Sequence, residues 1–246
     1  NYQGNGMRLD NMVTYQTPTA AGFTGYLQYS FANDTVEGDD DDSRANERGS
    51  NRYFAAGLTY NNGPLGAVVV YDSVMFRHYN KSEVGTPSVG DNDNPNVGDS
   101  RVLSIGGHYD FGVARVTAFG QYVKGSRTGF GDGLGYSAIF WLSDKEGNDS
   151  QYYDADGYNF HLGAQFPLPC GRLYAGAYYG YLEANDDPLN AEAKNWNVFL
   201  AHEYDLSKRT IIYSGIGYKQ LKVENDTEKL DEVKATQVIV GLRHIF

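Results

Sequence analysis

Segments of alternating apolar and polar residues, joined by connections of two alternating lengths, are the feature of this sequence that most constrains its fold. Segment 23–31 places Phe23 and Leu27 on one side and Thr24 on the other, a period of two residues. No segment shows the sustained apolar stripe that an amphipathic helix needs. The pattern predicts an all-β chain. The same alternation recurs at 158–166, 195–200 and 237–243.

The alternating segments predict eleven strands, most of them about ten to twelve residues long, where an ordinary globular strand has about five or six. The facing of the fourth strand stays open, because three consecutive apolar residues, Val68 to Val70, interrupt its alternation. Asp72 is assigned to the inner side of this strand. The predicted strands cover 8–17, 23–32, 51–62, 66–77, 100–110, 113–124, 157–166, 171–182, 194–205, 209–221 and 235–246.

The connections between these strands alternate strictly between short and long. The long ones cover about 33–50, 78–99, 125–156, 183–193 and 222–234, and the short ones lie between them. An up-and-down meander has its odd connections at one end and its even ones at the other, and outer-membrane barrels have tight periplasmic turns and longer extracellular loops. The sequence therefore predicts a single antiparallel up-and-down transmembrane β-barrel domain over 1–246.

Composition excludes several other classes of protein. The net charge of −11 argues against a nucleic-acid-binding protein, which usually shows a basic face. The single cysteine cannot form an internal disulfide. The longest apolar run, at 67–71, is much shorter than the roughly 18 residues of a spanning helix, but barrel strands alternate and need no such run.

The two faces of the predicted strands differ in a way that suits a barrel filled with water. One face carries aliphatic residues in mid-strand and aromatic residues near both ends, as expected where rings meet lipid headgroups. The other face carries charges of both signs, which would be costly in a dry core but are natural in a wet lumen. The predicted pore-lining residues are Arg8, Asp10, Arg115, Gln121, His161, Arg172, Tyr174, Tyr178, Glu203, Lys219 and Arg243.

Two other functions are weighed against a diffusion pore. A soluble, Ca²⁺-dependent carbohydrate-binding module would explain the acidic stretches at 37–42 and 91–99, but not the alternating loop lengths. An outer-membrane barrel enzyme would need a serine–histidine pair or paired carboxylates on the inner face, and the inward residues offer no such set. The expectation is a channel that performs no enzymatic reaction and holds no cofactor, with Ca²⁺ at the acidic loops as the alternative.

Three motifs resemble those of the general porins of Gram-negative bacteria, and most of all the β-proteobacterial ones. The stretch RLDNMVTYQTP at 8–18, followed by GFTGYLQYSF at 22–31, is similar to the strand pair after the constriction loop of that family. LSKRT at 206–210 resembles a periplasmic turn, and VGLRHIF at 240–246 resembles the C-terminal strand. His244 departs from the aromatic or apolar residue usual there.

The resemblance implies a homotrimeric, sixteen-stranded porin of the outer membrane, in contact with lipid and lipopolysaccharide, that passes ions and small hydrophilic solutes. It equates strand 8–17 with the sixth strand and makes 1–7 the tail of the constriction loop. The chain is then expected to be an N-terminally incomplete porin, which the intact mass of the mature protein tests. The alternating residues Val238, Val240, Leu242 and Phe246 are implied to be the signal for the barrel-assembly machinery.

Arg8 is the leading candidate for the basic side of the constriction, because it enters the wall directly after the implied loop. The alternative is a junction arginine paired with Asp10. Arg115, Arg172, Glu203 and Arg243 are expected nearer the periplasmic end. Tyr174 and Tyr178 either stack in the lumen or simply fill the wall.

Overall fold

The computed structural model contains one large antiparallel sheet in which strands that follow one another along the chain pair with each other. It describes residues 9, 11–31, 52–75, 99–126, 141–143, 150–152, 155–184, 190–227 and 229–246. No helix in this part of the chain is both long and apolar enough to cross a membrane. The implied constriction-loop tail, Arg8, Asp10 and the acidic stretches at 37–42 and 91–99 lie outside the described residues.

Thirteen strands are present in the described residues. Eleven of them form a single sheet in the order β1-β2-β3-β4-β5-β6-β9-β10-β11-β12-β13, and β7 and β8 pair only with each other. The strands are β1 (Met12–Gln16), β2 (Phe23–Ser30), β3 (Arg52–Asn62), β4 (Leu65–Met75), β5 (Ser100–Asp110), β6 (Arg115–Ser126), β7 (Trp141–Ser143), β8 (Ser150–Tyr152), β9 (Ala155–Leu168), β10 (Gly171–Ala184), β11 (Glu192–Ser207), β12 (Thr210–Glu224) and β13 (Lys229–His244).

The predicted up-and-down sheet of eleven strands is confirmed. Each sheet strand pairs in antiparallel fashion with its neighbours, without a crossover. The short turns have local causes: Asp110 Oδ1 accepts a hydrogen bond at 2.8 Å from the backbone N of Gly112, whose φ is +81°. A side-chain bond of this kind closes a turn, and glycine adopts positive φ without steric cost.

The structure corrects the boundaries at the end where the long connections lie. β12 runs to Glu224 and β13 begins at Lys229, so most of the loop predicted at 222–234 is strand. Loop 183–193 is shortened in the same way, and the region 125–156 contains the unpredicted β7–β8 hairpin. The extensions were missed because the facing is inverted there. Charged residues such as Lys222 and Glu224 lie on the outer face and apolar ones such as Leu221 lie on the inner face, while strand pairing continues.

Apolar side chains cover the outer face of the sheet, and no second layer packs on them within the described residues. Ile105, Leu162 and Val240 are 56%, 57% and 73% exposed. Register settles β4: Val69 pairs with Leu58 and Ile105 on the outer face, which places Asp72 on the inner face as predicted.

Aromatic residues mark two levels on the outer face. Toward the long connections, the Trp196 and Tyr218 rings lie 5.2 Å apart, and toward the short turns the Phe23 and Tyr60 rings lie 4.5 Å apart. Rings at both borders of an aliphatic band are typical of a bilayer-spanning wall. The segments of strand beyond the Trp196–Tyr218 level therefore lie outside the membrane-spanning band.

Candidate pore lining

All the predicted pore-lining residues that the structure describes lie on the inner face of the sheet. Strand register proves this, because residues directly opposite each other point to the same side. Tyr178 pairs with His161 on one side and Asn197 on the other, and Asn197 pairs in turn with Lys219. The residues so placed are Arg115, Gln121, His161, Arg172, Tyr174, Tyr178, Glu203, Lys219 and Arg243.

Four of these residues form a cluster near the short-turn end, which we call the arginine–glutamate cluster: Arg172, Tyr174, Glu203 and Arg243. One Glu203 oxygen lies 2.9 Å from an Arg172 guanidinium nitrogen and accepts a hydrogen bond at 3.0 Å from the Tyr174 hydroxyl. The other oxygen lies 3.8 Å from an Arg243 guanidinium nitrogen. One carboxylate thus faces two guanidinium groups, and the cluster keeps a net positive charge.

The contacts decide between the two roles considered for Tyr174 and Tyr178. Tyr174 donates its hydroxyl hydrogen to Glu203. The two side chains lie four residues apart on one extended strand, too far for stacking. They line the wall separately.

A polar ladder crosses three strands nearer the long connections. Gln121 Nε2 donates to Ser104 Oγ at 2.9 Å, and Asn159 Nδ2 donates to Gln121 Oε1 at 3.1 Å. Direct cross-strand bonds of this kind hold side chains against the wall instead of letting them extend into the lumen.

Rings on the inner face lie over glycines of the neighbouring strand. Phe199 is directly opposite Gly176, and a Cβ atom added to that glycine would collide with the Phe199 ring. The Tyr213 ring covers Gly241 in the same manner. An aromatic side chain that lies flat on a glycine occupies wall area while extending little into the lumen.

An apolar cluster on the inner face was missed in the sequence. It lies at the ends of β9–β12 near the long connections, and its larger members are Leu182, Leu221 and Val223, with Leu182 only 1% exposed. The sequence has apolar residues at 182, 184, 221 and 223, positions that the alternation assigns to the inner face. This pattern could have indicated the cluster. The inner face is therefore polar over most of its height and apolar at one end.

The residues of the implied assembly signal lie partly on β13 and partly beyond its end. Val238, Val240 and Leu242 point outward from β13 and are well exposed, as their implied role requires. Phe246 lies beyond the end of β13, and Ile245 N donates to Arg209 O at 2.9 Å. Whether these residues are the assembly signal stays a prediction.

No group of three or more His, Cys, Asp and Glu side chains in the described part of the chain is arranged to hold a metal ion. Cys170 is a free, exposed thiol in the β9–β10 turn. The chemistry available on the inner face is that of fixed charges and hydrogen-bonding groups along a surface.

An antiparallel meander that is apolar outside, banded by aromatic residues and charged inside is the wall of an outer-membrane β-barrel. Residues 1–224 match the family model described as Gram-negative porin, and the chain belongs to that family. Family membership places it in the outer membrane of a Gram-negative bacterium.

Comparison with individual proteins agrees with this assignment. The chain is 32% identical to an outer membrane porin protein of Bordetella pertussis over 251 residues, covering 98% of this chain and 59% of the relative. It superposes on an anion-selective porin from Comamonas acidovorans with a TM-score of 0.57 at 22% identity, covering 98% of this chain and 61% of that one. The trimer form of OmpT of Vibrio cholerae gives a TM-score of 0.57 at 15% identity, with 95% and 64% covered. The chain thus spans about three-fifths of the length of the relatives it matches.

Proposed function

We propose that this chain forms most of the wall of a general diffusion channel for ions and small hydrophilic solutes. The observation that carries the proposal is that the two faces of the sheet differ. Each strand from β10 to β13 has an ionic side chain on its inner face, while aliphatic side chains cover the outer face of the membrane-spanning band; the ionic residues are Arg172, Glu203, Lys219 and Arg243. Passage through such a channel depends on bore and fixed charge, so it needs no covalent chemistry and no cofactor. The enzyme and carbohydrate-module alternatives have no site among the described residues to support them.

The proposed partners follow from membership of the family and from the outer face. The trimer form of a structural relative supports a homotrimer. The exposed aliphatic band supports contact with outer-membrane lipid and lipopolysaccharide, and the alternation at the end of β13 supports recognition by the barrel-assembly machinery. Arg8 remains our candidate for the constriction, and Arg8→Ala is expected to shift ion selectivity toward cations.

Neighbouring residues on β11 provide a direct test of the channel. Asn197 points inward and Val198 outward, so the two side chains occupy different solvents if the wall encloses water. In the full-length protein with Cys170→Ser, we expect Asn197→Cys to react with a charged, membrane-impermeant thiol reagent and to change the single-channel current in a planar bilayer.

Val198→Cys is the matched control and is expected to stay unmodified, because its thiol lies in lipid. Equal reaction at both positions would mean that the two faces share a solvent, and absence of any current in the parent protein would contradict the channel itself.

A further inference from the structure

The Phe199 ring is an apolar surface on the inner face of β11, where the wall is otherwise polar. Phe199 stands directly opposite Gly176 on β10 and Gly217 on β12, and its ring lies over Gly176. The residue is 39% exposed. Because the ring lies along the wall and neither glycine has a side chain to cover it, the ring presents its flat face to the lumen.

Other aromatic side chains surround this ring. Tyr174 and Tyr178 lie two residues on either side of Gly176 on β10, and therefore on the same inner face. Tyr178 is directly opposite His161 on β9. We call these residues the aromatic patch: His161, Tyr174, Tyr178 and Phe199. Flat unsaturated rings pack favourably on such a surface in offset-stacked or edge-to-face arrangements.

A cation borders the aromatic patch. Lys219 is directly opposite Asn197, which is two residues from Phe199 on β11. The inner-face ion pairs in the described part of the chain are those of the arginine–glutamate cluster, so Lys219 has no carboxylate partner there. The wall between the ring and the lysine is open at Gly217, where an added Cβ atom would meet nothing closer than 3.5 Å. The Lys219 ammonium is thus available to an anion in the lumen.

We propose that the aromatic patch and Lys219 form a binding site for aromatic carboxylates inside the channel. The solute ring stacks on Phe199, and its carboxylate accepts a charge-assisted hydrogen bond from Lys219 Nζ. Phe199 and Lys219 are diagonal neighbours on adjacent strands, about 7–8 Å apart at their backbones. A carboxylate attached directly to a ring reaches the ammonium from that stacked position, because the lysine side chain is long and flexible.

Charge selects this class of solute over other flat ones. A neutral sugar also has a face that fits an aromatic ring, but it leaves the positive charge of Lys219 without a counter-charge. The inference rests on the proposed function, since the site faces the lumen of a channel, and it adds the class of solute that the channel retains.

The test uses the full-length protein in a planar bilayer at neutral pH. Each solute is added to a KCl solution, and the decrease in single-channel current gives an apparent dissociation constant. Benzoate is the probe, cyclohexanecarboxylate has the same charge without an aromatic face, and benzyl alcohol has the ring without the charge. We expect benzoate to bind about two- to tenfold more tightly than cyclohexanecarboxylate, the range for an aromatic pair.

Phe199→Leu removes the aromatic face but keeps an apolar side chain, so it is expected to abolish this preference, whereas Phe199→Tyr should retain it. Phe119→Leu is the matched control and is expected to retain the preference. Phe119 also lies on the inner face with its ring over a glycine, Gly106, but no lysine or arginine is directly or diagonally opposite it.

Lys219→Gln tests the charge. We expect it to weaken benzoate binding about two- to fivefold, the range for a solvent-exposed ion pair, and to leave the binding of benzyl alcohol unchanged. Lys219→Arg keeps the charge and should bind benzoate as the parent does.

Three results would overturn the proposal: equal binding of benzoate and cyclohexanecarboxylate by the parent, equal losses of preference in Phe199→Leu and Phe119→Leu, or benzoate binding that Lys219→Gln leaves unchanged. Glucose that binds as tightly as benzoate would also overturn it, because the aromatic patch would then bind flat solutes whatever their charge. A KCl current that benzoate does not decrease contradicts this site alone, whereas absence of any KCl current contradicts the proposed channel.

Discussion

Glu203 is the acidic side chain that two inner arginines share, and its removal isolates the effect of fixed charge on permeation. Glu203→Gln leaves Arg172 and Arg243 without their carboxylate, so the local charge becomes more positive by one unit. We expect the reversal potential under a KCl gradient to move toward anion selectivity. Because exposed ion pairs contribute only about 0.2–1 kcal/mol, the free energy of unfolding should change little.

Glu232→Gln is the matched control for this experiment. It removes the same charge from an outward-facing carboxylate paired with lysines at the rim. The reversal potential of this variant should equal that of the parent. A shift toward cations in Glu203→Gln, or equal shifts in both variants, would show that the arginine–glutamate cluster does not face the permeating ions.

At the scale of the strand, the ends of β11 and β12 near the long connections carry ion pairs on their outer face, where the membrane-spanning band carries apolar residues. Hydrogen bonds from Lys222 and Lys194 lower the pKa of the Glu224 carboxyl from 4.5 to about 2. A carboxyl whose pKa is lowered by folding stabilises the folded state above its ordinary pKa. That stabilisation is lost as the pH falls from about 4.5 to about 2.

We therefore predict that the carboxyl ¹³C resonance of Glu224 titrates with a midpoint near 2. In Lys194→Gln with Lys222→Gln the midpoint should return toward the ordinary glutamate value, because the two donors are gone. An unchanged Glu224 midpoint in the double variant would contradict the pairing.

The turn between β9 and β10 depends on the absence of a side chain at Gly171. Its φ is +139°, and a Cβ atom there would overlap the backbone oxygen of Glu203 on β11. Gly171→Ala is predicted to lower the free energy of unfolding in urea by about 1–3 kcal/mol. Gly63→Ala is the control: its φ is +55° and the space around it is open, so it should cost less. Equal costs would mean that only backbone conformation matters.

The number of strands in the main sheet, their order and their facing within the membrane-spanning band were predictable from the sequence, because a lipid-facing side chain must be apolar whatever its neighbours are. The strand ends were not, because charged residues such as Lys222 and Glu232 stand on the outer face there, opposite each other in register and beyond the apolar band. The same limit applies to the inner face. Parity placed Glu203 inward, but its shared position between Arg172 and Arg243 depends on register across four strands.

At the scale of the whole molecule, the reading of the chain as a membrane wall requires that the same charge be costly on one face and tolerated on the other. His161 and Leu162 are adjacent on β9, with His161 inward and Leu162 outward in the aliphatic band. We predict that Leu162→Arg lowers the free energy of unfolding in lipid vesicles by about 2–4 kcal/mol, the cost of arginine near the bilayer midplane. His161→Arg places the same side chain in water and should cost less than about 1 kcal/mol. The measurement is reversible urea unfolding of the full-length protein in vesicles, followed by tryptophan fluorescence. Equal penalties at the two positions would contradict the assignment of faces, and a larger penalty for His161→Arg would reverse it.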